Sequence, residues 1–330
     1  MDREEKSLIS IIIPVYNNAG TLQRCLASVC SQTMRNIEIL VVDDGSTDET
    51  PQILRALAAG DARIRTFRQE NRGQGEARNH GMREARGTYL GFVDADDVVD
   101  AEMYEGMLRA AERTDVDVVQ CNIIDVFPDG RFMLQMPGLD KWVKIEDRKN
   151  YFEEYLFHPK HSFECCNKLI RKNFLTEHGI VFEDNKKVFA EDLLFNLQVA
   201  ARMNAIVFVS NPFYYYYQYP DSYSRKDSID RMDKLCVLFD LFYGQVEELR
   251  PVTAKIAVLI LMIHLSHILD RPEGVKKARS IFARPQLRSY LWQSVRSMKR
   301  LRHKLLMLAI YAAPFPVKLR IVRFYYTRLK

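Results

Sequence analysis

After a polar opening, the chain runs through Leu8–Val15 (LISIIIPV), a continuous apolar and largely β-branched stretch closed by proline and valine. An unbroken run of this kind reads as a strand buried on both faces. The period then changes. Leu22, Cys25, Leu26 and Val29 fall at i, i+3, i+4 and i+7, which predicts a helix over Thr21–Val29. A second strand is expected at Ile37–Val42, ending at Asp43-Asp44-Gly45-Ser46-Thr47-Asp48. That cluster combines turn and N-cap residues, so a helix should follow at Glu49–Ala59. Ile64–Phe67 reads as a short strand, about Gly75 to Ala85 as a helix and Tyr89–Val93 as a strand. From Ser228 onward the period is helical, with Leu235, Leu238, Phe239 and Phe242 on one face and a further helix through Ile256–Leu269.

Strands and helices alternating through short connections predict an α/β fold with an open sheet and right-handed crossovers. Ligands on such sheets gather beyond the carboxyl ends of the strands. The polar clusters fall there: Tyr16-Asn17, Asp43-Asp44 and Asp94-Ala95-Asp96-Asp97. The last is the most informative. A strand (YLGFV) running into DADD places two carboxylates, Asp94 and Asp96, on the same side of an extended backbone. A hard divalent cation, Mn2+ or Mg2+, relieves their repulsion and takes few protein oxygens plus substrate phosphates. The alternative is an exposed acidic turn capping the next helix, and Asp97 by itself reads as such a cap.

Composition narrows the field. A hydrophobic content of 47% and an aromatic content of 11% suit a globular core and exclude disordered and collagen-like chains. Six cysteines without CxxC spacing predict reduced, buried thiols in a cytoplasmic protein. The amino-terminal MDREEKSLIS does not resemble a signal peptide. The apolar stretches Ile256–Leu265 and Leu305–Ala313 are shorter than a transmembrane helix requires, so no span is expected. The net charge of +5 hides an asymmetry: 15 of the 48 Lys and Arg follow Glu273, and none of the 43 Asp and Glu does. An acidic body with a basic tail points to an anionic partner for the tail.

Six motifs in order resemble glycosyltransferase family 2: IIIPVYN, ASVCSQT, IEILVVDDGSTDET, NRGQGEARNHG, GTYLGFVDADD and FAEDLLF. The resemblance covers roughly residues 8–225. It implies the GT-A fold, a Rossmann-like open mixed sheet with helices on both faces, here followed by a helical C-terminal region. The absence of GxGxxG and of a Walker lysine loop counts against a dinucleotide oxidoreductase or an NTPase. The resemblance further implies a metal-dependent, inverting transfer of sugar from a nucleoside-diphosphate donor, with UDP favoured. Pro14, Val15, Tyr16 and Asn17 would line the nucleoside pocket, and Asp44 would accept from a uracil-type N–H. Asn71 and Arg78 would reach base and ribose. Ala95 lies in the donor site between Asp94 and Asp96, with Asp96 the direct metal ligand and Asp94 near ribose and metal waters. Asp192, opening a helix, would be the general base and Glu191 its neighbour orienting it or binding acceptor.

Other readings of these residues stay open. Arg78 could form a helix-surface ion pair with Glu76 or Glu84, Asp44 could be a turn or N-cap carboxylate, and Glu191-Asp192 could merely fill a first helical turn. A cysteine precedes NKL (Asn167-Lys168-Leu169), where relatives carry an aromatic residue. His158 and His161 read as structural. The tyrosine-rich Phe213–Gln218 resembles a strand leading into a loop over the pyrophosphate, with Ser222, Ser224 or Arg225 as phosphate contacts, and otherwise reads as an edge strand.

Domain limits are expected at 1–227 for the catalytic domain, its nucleotide-binding half at about 1–100 and its acceptor half at about 101–227, and at 228–330 for the basic region. Basic residues interleaved with Tyr290, Trp292, Phe324, Tyr325 and Tyr326 suit a helix lying in an anionic membrane surface. A helical cap or an oligomer interface is the alternative. Nucleic acid is not an expected partner, since no nucleic-acid module accompanies the tail. The expectation is therefore a cytoplasmic enzyme peripheral on the inner face of the cell membrane, acting on glycan or lipid-linked glycan acceptors in cell-surface polysaccharide synthesis. A catalytically silent, membrane-associated nucleotide-sugar-binding protein is the competing class.

Overall fold

The computed structural model describes residues 9–136, 138, 140–153, 163–219, 229–297 and 301–326. In chain order the first elements are β1 (Ile9–Val15), α1 (Leu22–Cys30), β2 (Ile37–Asp43), α2 (Thr50–Gly60), β3 (Ile64–Arg68), α3 (Gln74–Glu84) and β4 (Tyr89–Phe92). Each lies where the hydrophobic pattern places it. There follow β5 (Val98–Val99), α4 (Met103–Thr114), β6 (Val118–Val126), β7 (Phe132–Leu134), β8 (Lys141–Lys144), α5 (Arg148–Tyr151), β9 (Lys168–Arg171), α6 (Lys172–Glu177), α7 (Glu191–Ala200) and β10 (Ala205–Tyr217). The remaining elements are helices: α8 (Arg231–Gln245), α9 (Arg250–Ile268), α10 (Pro272–Phe282), α11 (Pro285–Ser297), α12 (Leu301–Ala312) and α13 (Phe315–Tyr326).

The described residues fall into two units. One is drawn from Met1–Asp147, His158–Asn185 and Glu191–Pro220, the other from Arg148–Phe157, Lys186–Ala190 and Asp221–Lys330. The first unit holds a ten-stranded mixed sheet with the order β3-β2-β1-β4-β9-β6-β10-β5, with β7 added to β6 and β8 to β10. β1 pairs in parallel with both β2 and β4, so the chain reverses direction across the sheet at β1, where α/β sheets open a ligand crevice. Every residue of β1, β2 and β4 is buried, as their unbroken apolar runs require. β9 is antiparallel to both β4 and β6, which makes the sheet mixed.

Helix α1 buries Leu22, Cys25, Leu26 and Val29, the predicted stripe. Helix α3 breaks the amphipathic rule, burying Gly75, Ala77, Arg78, Asn79 and Gly81. A Cβ at Gly81 would lie 2.5 Å from Ile12 Cγ2; glycine lets α3 seat directly on β1. The tyrosine-rich β10 is not an edge strand, because it lies between β6 and β5 and Tyr214 is fully buried.

The second unit is helical around α9, whose Val252, Ile256, Leu261 and Leu265 are buried. Phe152 stacks on Phe242 with ring centroids 6.1 Å apart. The apolar run expected to be too short for a span belongs to a continuous 22-residue helical stretch, Glu247–Ile268, with mean hydropathy 1.7. Its length and composition would cross a bilayer, but 61% of its apolar window is buried inside the protein, the mark of a core helix. All six cysteines are free thiols and all but Cys30 are buried.

Candidate functional site

The polar clusters meet at the carboxyl ends of β1, β2 and β4. Backbone contacts close the first corner: Asp44 N donates to Val15 O at 2.8 Å, Asn17 N to Ser46 Oγ at 3.0 Å and Thr47 N to Asn17 Oδ1 at 2.8 Å. Asn17 takes φ +53° to do this, a left-handed conformation that asparagine tolerates better than most residues. Pro14 and Val15 are buried beneath, while Tyr16 (46% exposed), Asn17 and Asn71 face outward.

Asp44 is buried and accepts from Gln69 Nε2 at 2.8 Å, Arg72 N at 2.9 Å and Gly73 N at 2.8 Å. It caps no helix. It holds the loop that carries Asn71, and three donors leave about one of a carboxylate's four acceptor positions open.

The acidic turn after β4 separates its three carboxylates by role. Asp97 is not the helix cap the sequence suggests. It is fully buried and accepts from Tyr214 Oη at 2.7 Å and Tyr217 N at 2.8 Å, and Tyr214 Oη in turn accepts from Asp94 N at 3.1 Å. Burial, then Asp94 and Asp96, push its carboxyl well above the usual range. β10 and the acidic turn are thus pinned together. Arg24, which the sequence reading passes over, donates to Asp96 O at 2.7 Å and Tyr219 Oη at 2.9 Å, with its guanidinium 3.8 Å from the Tyr217 ring centroid. That fixes the Asp96 backbone and leaves its carboxylate without an ion-pair partner among the described residues. Ala95 is buried between the two partly exposed acids, Asp94 and Asp96.

Arg78 joins this turn to the amino end of α7. Its side chain is 1% exposed, with Nη2 2.7 Å from Asp94 Oδ1 and Nη1 3.0 Å from Glu191 Oε1 and 2.6 Å from Asp192 Oδ1. The alternative sequence reading of Arg78, an ion pair on the helix surface, is corrected. A surface ion pair is ruled out by burial, and Glu76 and Glu84 are engaged by Arg83 and Arg65. Both terminal nitrogens are engaged by three carboxylates. Phe182, stacked on Phe195 at 4.0 Å, lies 5.2 Å beneath the guanidinium. Burial alone would pull the Arg78 pKa down; Asp192, Asp94 and Glu191 hold it above its ordinary value.

Two features bring Glu191 and Asp192 to this point. Gln74 Nε2 donates to Glu191 Oε1 at 2.7 Å. A Cβ at Gly75 would meet Asn185 Oδ1 and Glu183 O at 2.9 Å and Glu191 Cγ at 3.2 Å, so only glycine admits these groups. Asp192 keeps a fifth of its side chain exposed. Among the described residues its Oδ2 has only loose neighbours, Cys165 N at 3.5 Å and Cys165 Sγ at 3.4 Å. A helix N-terminus favours an ionised carboxylate, yet burial dominates here. Burial, opposed by Arg78 and reinforced by Glu191 and Asp94, raises Asp192 to about 7.

Residues 10–179 match the family model described as Glycosyl transferase family 2. The chain belongs to glycosyltransferase family 2. EpsJ of Bacillus subtilis, an uncharacterised glycosyltransferase, is 31% identical over 215 residues, covering 65% of this chain and 62% of EpsJ; the match therefore spans less than two thirds of that relative. Among solved structures, a fragment of S. aureus TarS in complex with UDP-GlcNAc superposes with TM-score 0.74 at 20% identity, covering 98% of this chain and 92% of that one. The mannosyltransferase PcManGT of Pyrobaculum calidifontis, in complex with GDP-Man and Mn2+, superposes with TM-score 0.55 at 18% identity, covering 98% and 86%. The fold is accordingly GT-A, followed by a helical C-terminal region.

In this family 2 glycosyltransferase the acidic turn offers oxygen donors of the kind a hard divalent cation takes. Burial and then the neighbouring Asp94 push Asp96 up to about 6, the response of a carboxylate drawn out of water beside a like charge. Among the described residues no group of three or more His, Cys, Asp or Glu side chains that could hold a metal ion is found.

The NKL segment is structural: Asn167 Nδ2 donates to Cys121 O at 2.8 Å and Lys168 Nζ to Glu164 O at 2.6 Å. Gln218 donates to Asp125 at 2.8 Å. His158, His161, Ser222, Ser224 and Arg225 lie outside the described residues.

Proposed function

We propose that the chain is an inverting, metal-dependent glycosyltransferase moving a hexosyl or N-acetylhexosaminyl group from a UDP-sugar to a hydroxyl of a glycan or lipid-linked glycan. The observation that carries this reading is the Arg78 bridge, which joins the Asp94 end of the DxD turn to Asp192. A donor-binding corner and a candidate base are thereby held in one rigid ionic cluster, as in-line displacement requires.

In this account Pro14, Val15, Tyr16, Asn17, Asp44 and Asn71 line the nucleoside pocket. Asp96, seconded by Asp94, would hold Mn2+ or Mg2+. The ion, when bound, supplies a Lewis acid for the charge growing on the departing diphosphate. Asp192 Oδ2 takes the proton of the acceptor hydroxyl as its oxygen bonds to the anomeric carbon, and the bond from that carbon to the diphosphate oxygen breaks. The proton ends on Asp192 and the electron pair on the nucleoside diphosphate. A carboxylate near pKa 7 is matched to this task. Arg78 holds Asp192 and Asp94 in place without touching substrate, and Glu191 helps to orient the pair.

The carboxylate sets favour an active enzyme over a silent binding protein, because a binding pocket has no need for Asp192. Residues 1–227 would be the catalytic domain and 228–330 a region that holds the enzyme on the cytoplasmic face of the membrane, where cell-surface polysaccharide is assembled. The test is a thermal-shift screen of nucleotide sugars with Mn2+, followed by mass spectrometry of donor breakdown. Stabilisation by UDP-sugars with Mn2+ and loss of breakdown in Asp192→Asn are expected. Equal breakdown by the variant would refute the assignment of the base.

A further inference from the structure

Among the described residues of the helical unit, apolar and basic side chains converge on the surface shared by α11 and α12. On α11, Arg288, Trp292 and Arg296 follow at i, i+4 and i+8 and all face outward, while Leu287, Tyr290, Leu291, Ser294 and Val295 face inward. Tyr290 therefore leaves the set of interfacial aromatics expected from the sequence, since it is buried and donates to Asp240. The side chains of Tyr325 and Tyr326 lie outside the described residues.

On α12 the exposed positions are Lys304, Leu305, Leu308, Ala309 and Ala312, with Met307 and Ile310 turned inward. Leu305, Leu308, Ala309 and Ala312 stand at i, i+3, i+4 and i+7, one continuous helix face. That face is apolar and open: Leu305 is 56% and Leu308 41% exposed. The two helices share this surface, because the rings of Trp292, itself 43% exposed, and Tyr311 lie 5.6 Å apart.

Cations surround the same point. Arg288 lies 5.3 Å from the Tyr311 ring centroid, Arg296 5.6 Å from that of Trp292, and Lys318 Nζ donates to Tyr311 O at 3.2 Å. Elsewhere in the unit some basic residues are matched: Lys277 and Arg284 pair with Asp233, and Arg323 with Asp270. Arg288, Arg296, Lys304 and Lys318 pair with no described carboxylate, and the sequence holds no acid beyond Glu273. Burial first, and then the nearby Arg288 cation, pull the Lys318 ammonium below its ordinary range.

We propose that the α11–α12 surface around Trp292 and Tyr311 docks on an anionic lipid bilayer, with Trp292, Leu305 and Leu308 entering the interface and Arg288 and Arg296 meeting headgroup phosphates. The combination decides the occupant: indole and aliphatic side chains suit the apolar boundary of a bilayer, and basic side chains at its rim suit phosphate. An acid-free rim complements an anionic leaflet. The proposal rests on the membrane-peripheral reading above and assigns it to one face. The core helix α9 takes no part.

The experiment is vesicle flotation of the full chain with phosphatidylcholine alone and with phosphatidylcholine containing roughly a third phosphatidylglycerol. Wild type is expected to float with the anionic vesicles only. Trp292→Ala with Leu308→Ser, and separately Arg288→Gln with Arg296→Gln, should each weaken binding on the order of tenfold or more, while stabilisation by UDP stays unchanged. Binding of wild type to neither vesicle would overturn the membrane reading together with this inference. Equal binding by wild type and both double variants would leave the membrane reading standing and refute this face. Conversion of a dimer to monomer by the variants, with flotation unaffected, would identify a contact between copies instead. As a measurement that needs no disruptive variant, Trp142→Phe leaves Trp292 as the remaining indole of two. Its emission should shift to the blue on adding anionic vesicles, and an unshifted spectrum contradicts the proposal.

Discussion

Arg78 Nη1 lies 2.6 Å from Asp192 Oδ1, across 114 residues of sequence. Its other terminal nitrogen is on Asp94, so one buried guanidinium spans the carboxylates to which the proposed mechanism gives different roles. Replacing Arg78 with Met leaves three acids facing one another without a cation, and breaking a buried pair in this way costs about 3–5 kcal/mol. A large fall in melting temperature is expected. Arg78→Lys keeps the charge, but a single ammonium cannot match the fork. It should fold, bind UDP and lose kcat far more than KM. Steady-state kinetics on a donor–acceptor pair checks the split.

The raised pKa of Asp192 sets a pH limb. A base must start ionised, so kcat/KM should rise with pH through about 7 and level off above it. Arg78 is the group that favours the ionised form, so Arg78→Lys, if it lengthens the contact, moves the limb to higher pH. Asp192→Asn should lower turnover by about 10²–10⁴-fold and abolish the limb, with UDP affinity almost unchanged. A pH–rate profile of the three proteins measures all of this.

Tyr214 Oη donates to Asp97 and accepts from Asp94 N. Tyr214→Phe strands a buried acceptor, at a cost of about 1–3 kcal/mol, and loosens the turn that presents Asp96. A lower melting temperature together with weaker Mn2+-dependent UDP binding is expected. A stability loss with unchanged binding would mean that the pin supports the core alone.

Several of these elements can be read directly in the sequence. β1, β2 and β4 are covered on both faces, so their apolar runs are unbroken, and the acids that follow them must sit at strand ends. Asp94 and Asp96 follow from that pattern, whereas Asp192 and Arg78 were named only through the family resemblance. The ion pairs of Arg78 were not legible, because its partners lie 16, 113 and 114 residues away and a polar helix such as α3 gives no apolar stripe to show its buried face. The glycines at 75 and 81, flanking Arg78 on a helix that gains nothing from them by propensity, were the available signal of close approach. Asp97 misled for a related reason: its partner Tyr214 sits on a strand whose tyrosines look amphipathic until the sheet order places them inside. The helical unit recruits Arg148–Phe157 and Lys186–Ala190 from before the boundary, which no linear pattern reveals.

Asp96→Asn isolates the cation site. It removes the carboxylate that burial and Asp94 hold near pKa 6 and relieves the repulsion it causes. The variant should be at least as heat-stable as wild type without metal, and should lose the extra stabilisation that Mn2+ adds to UDP. Differential scanning fluorimetry with and without Mn2+ gives both values.

The most direct measurement is a crystal soaked in UDP and Mn2+, read by anomalous scattering at the manganese edge. The account predicts an ion about 2.1 Å from an Asp96 carboxylate oxygen and bonded to the diphosphate. Bound UDP with Asp96 turned away and no anomalous peak beside it would contradict the account.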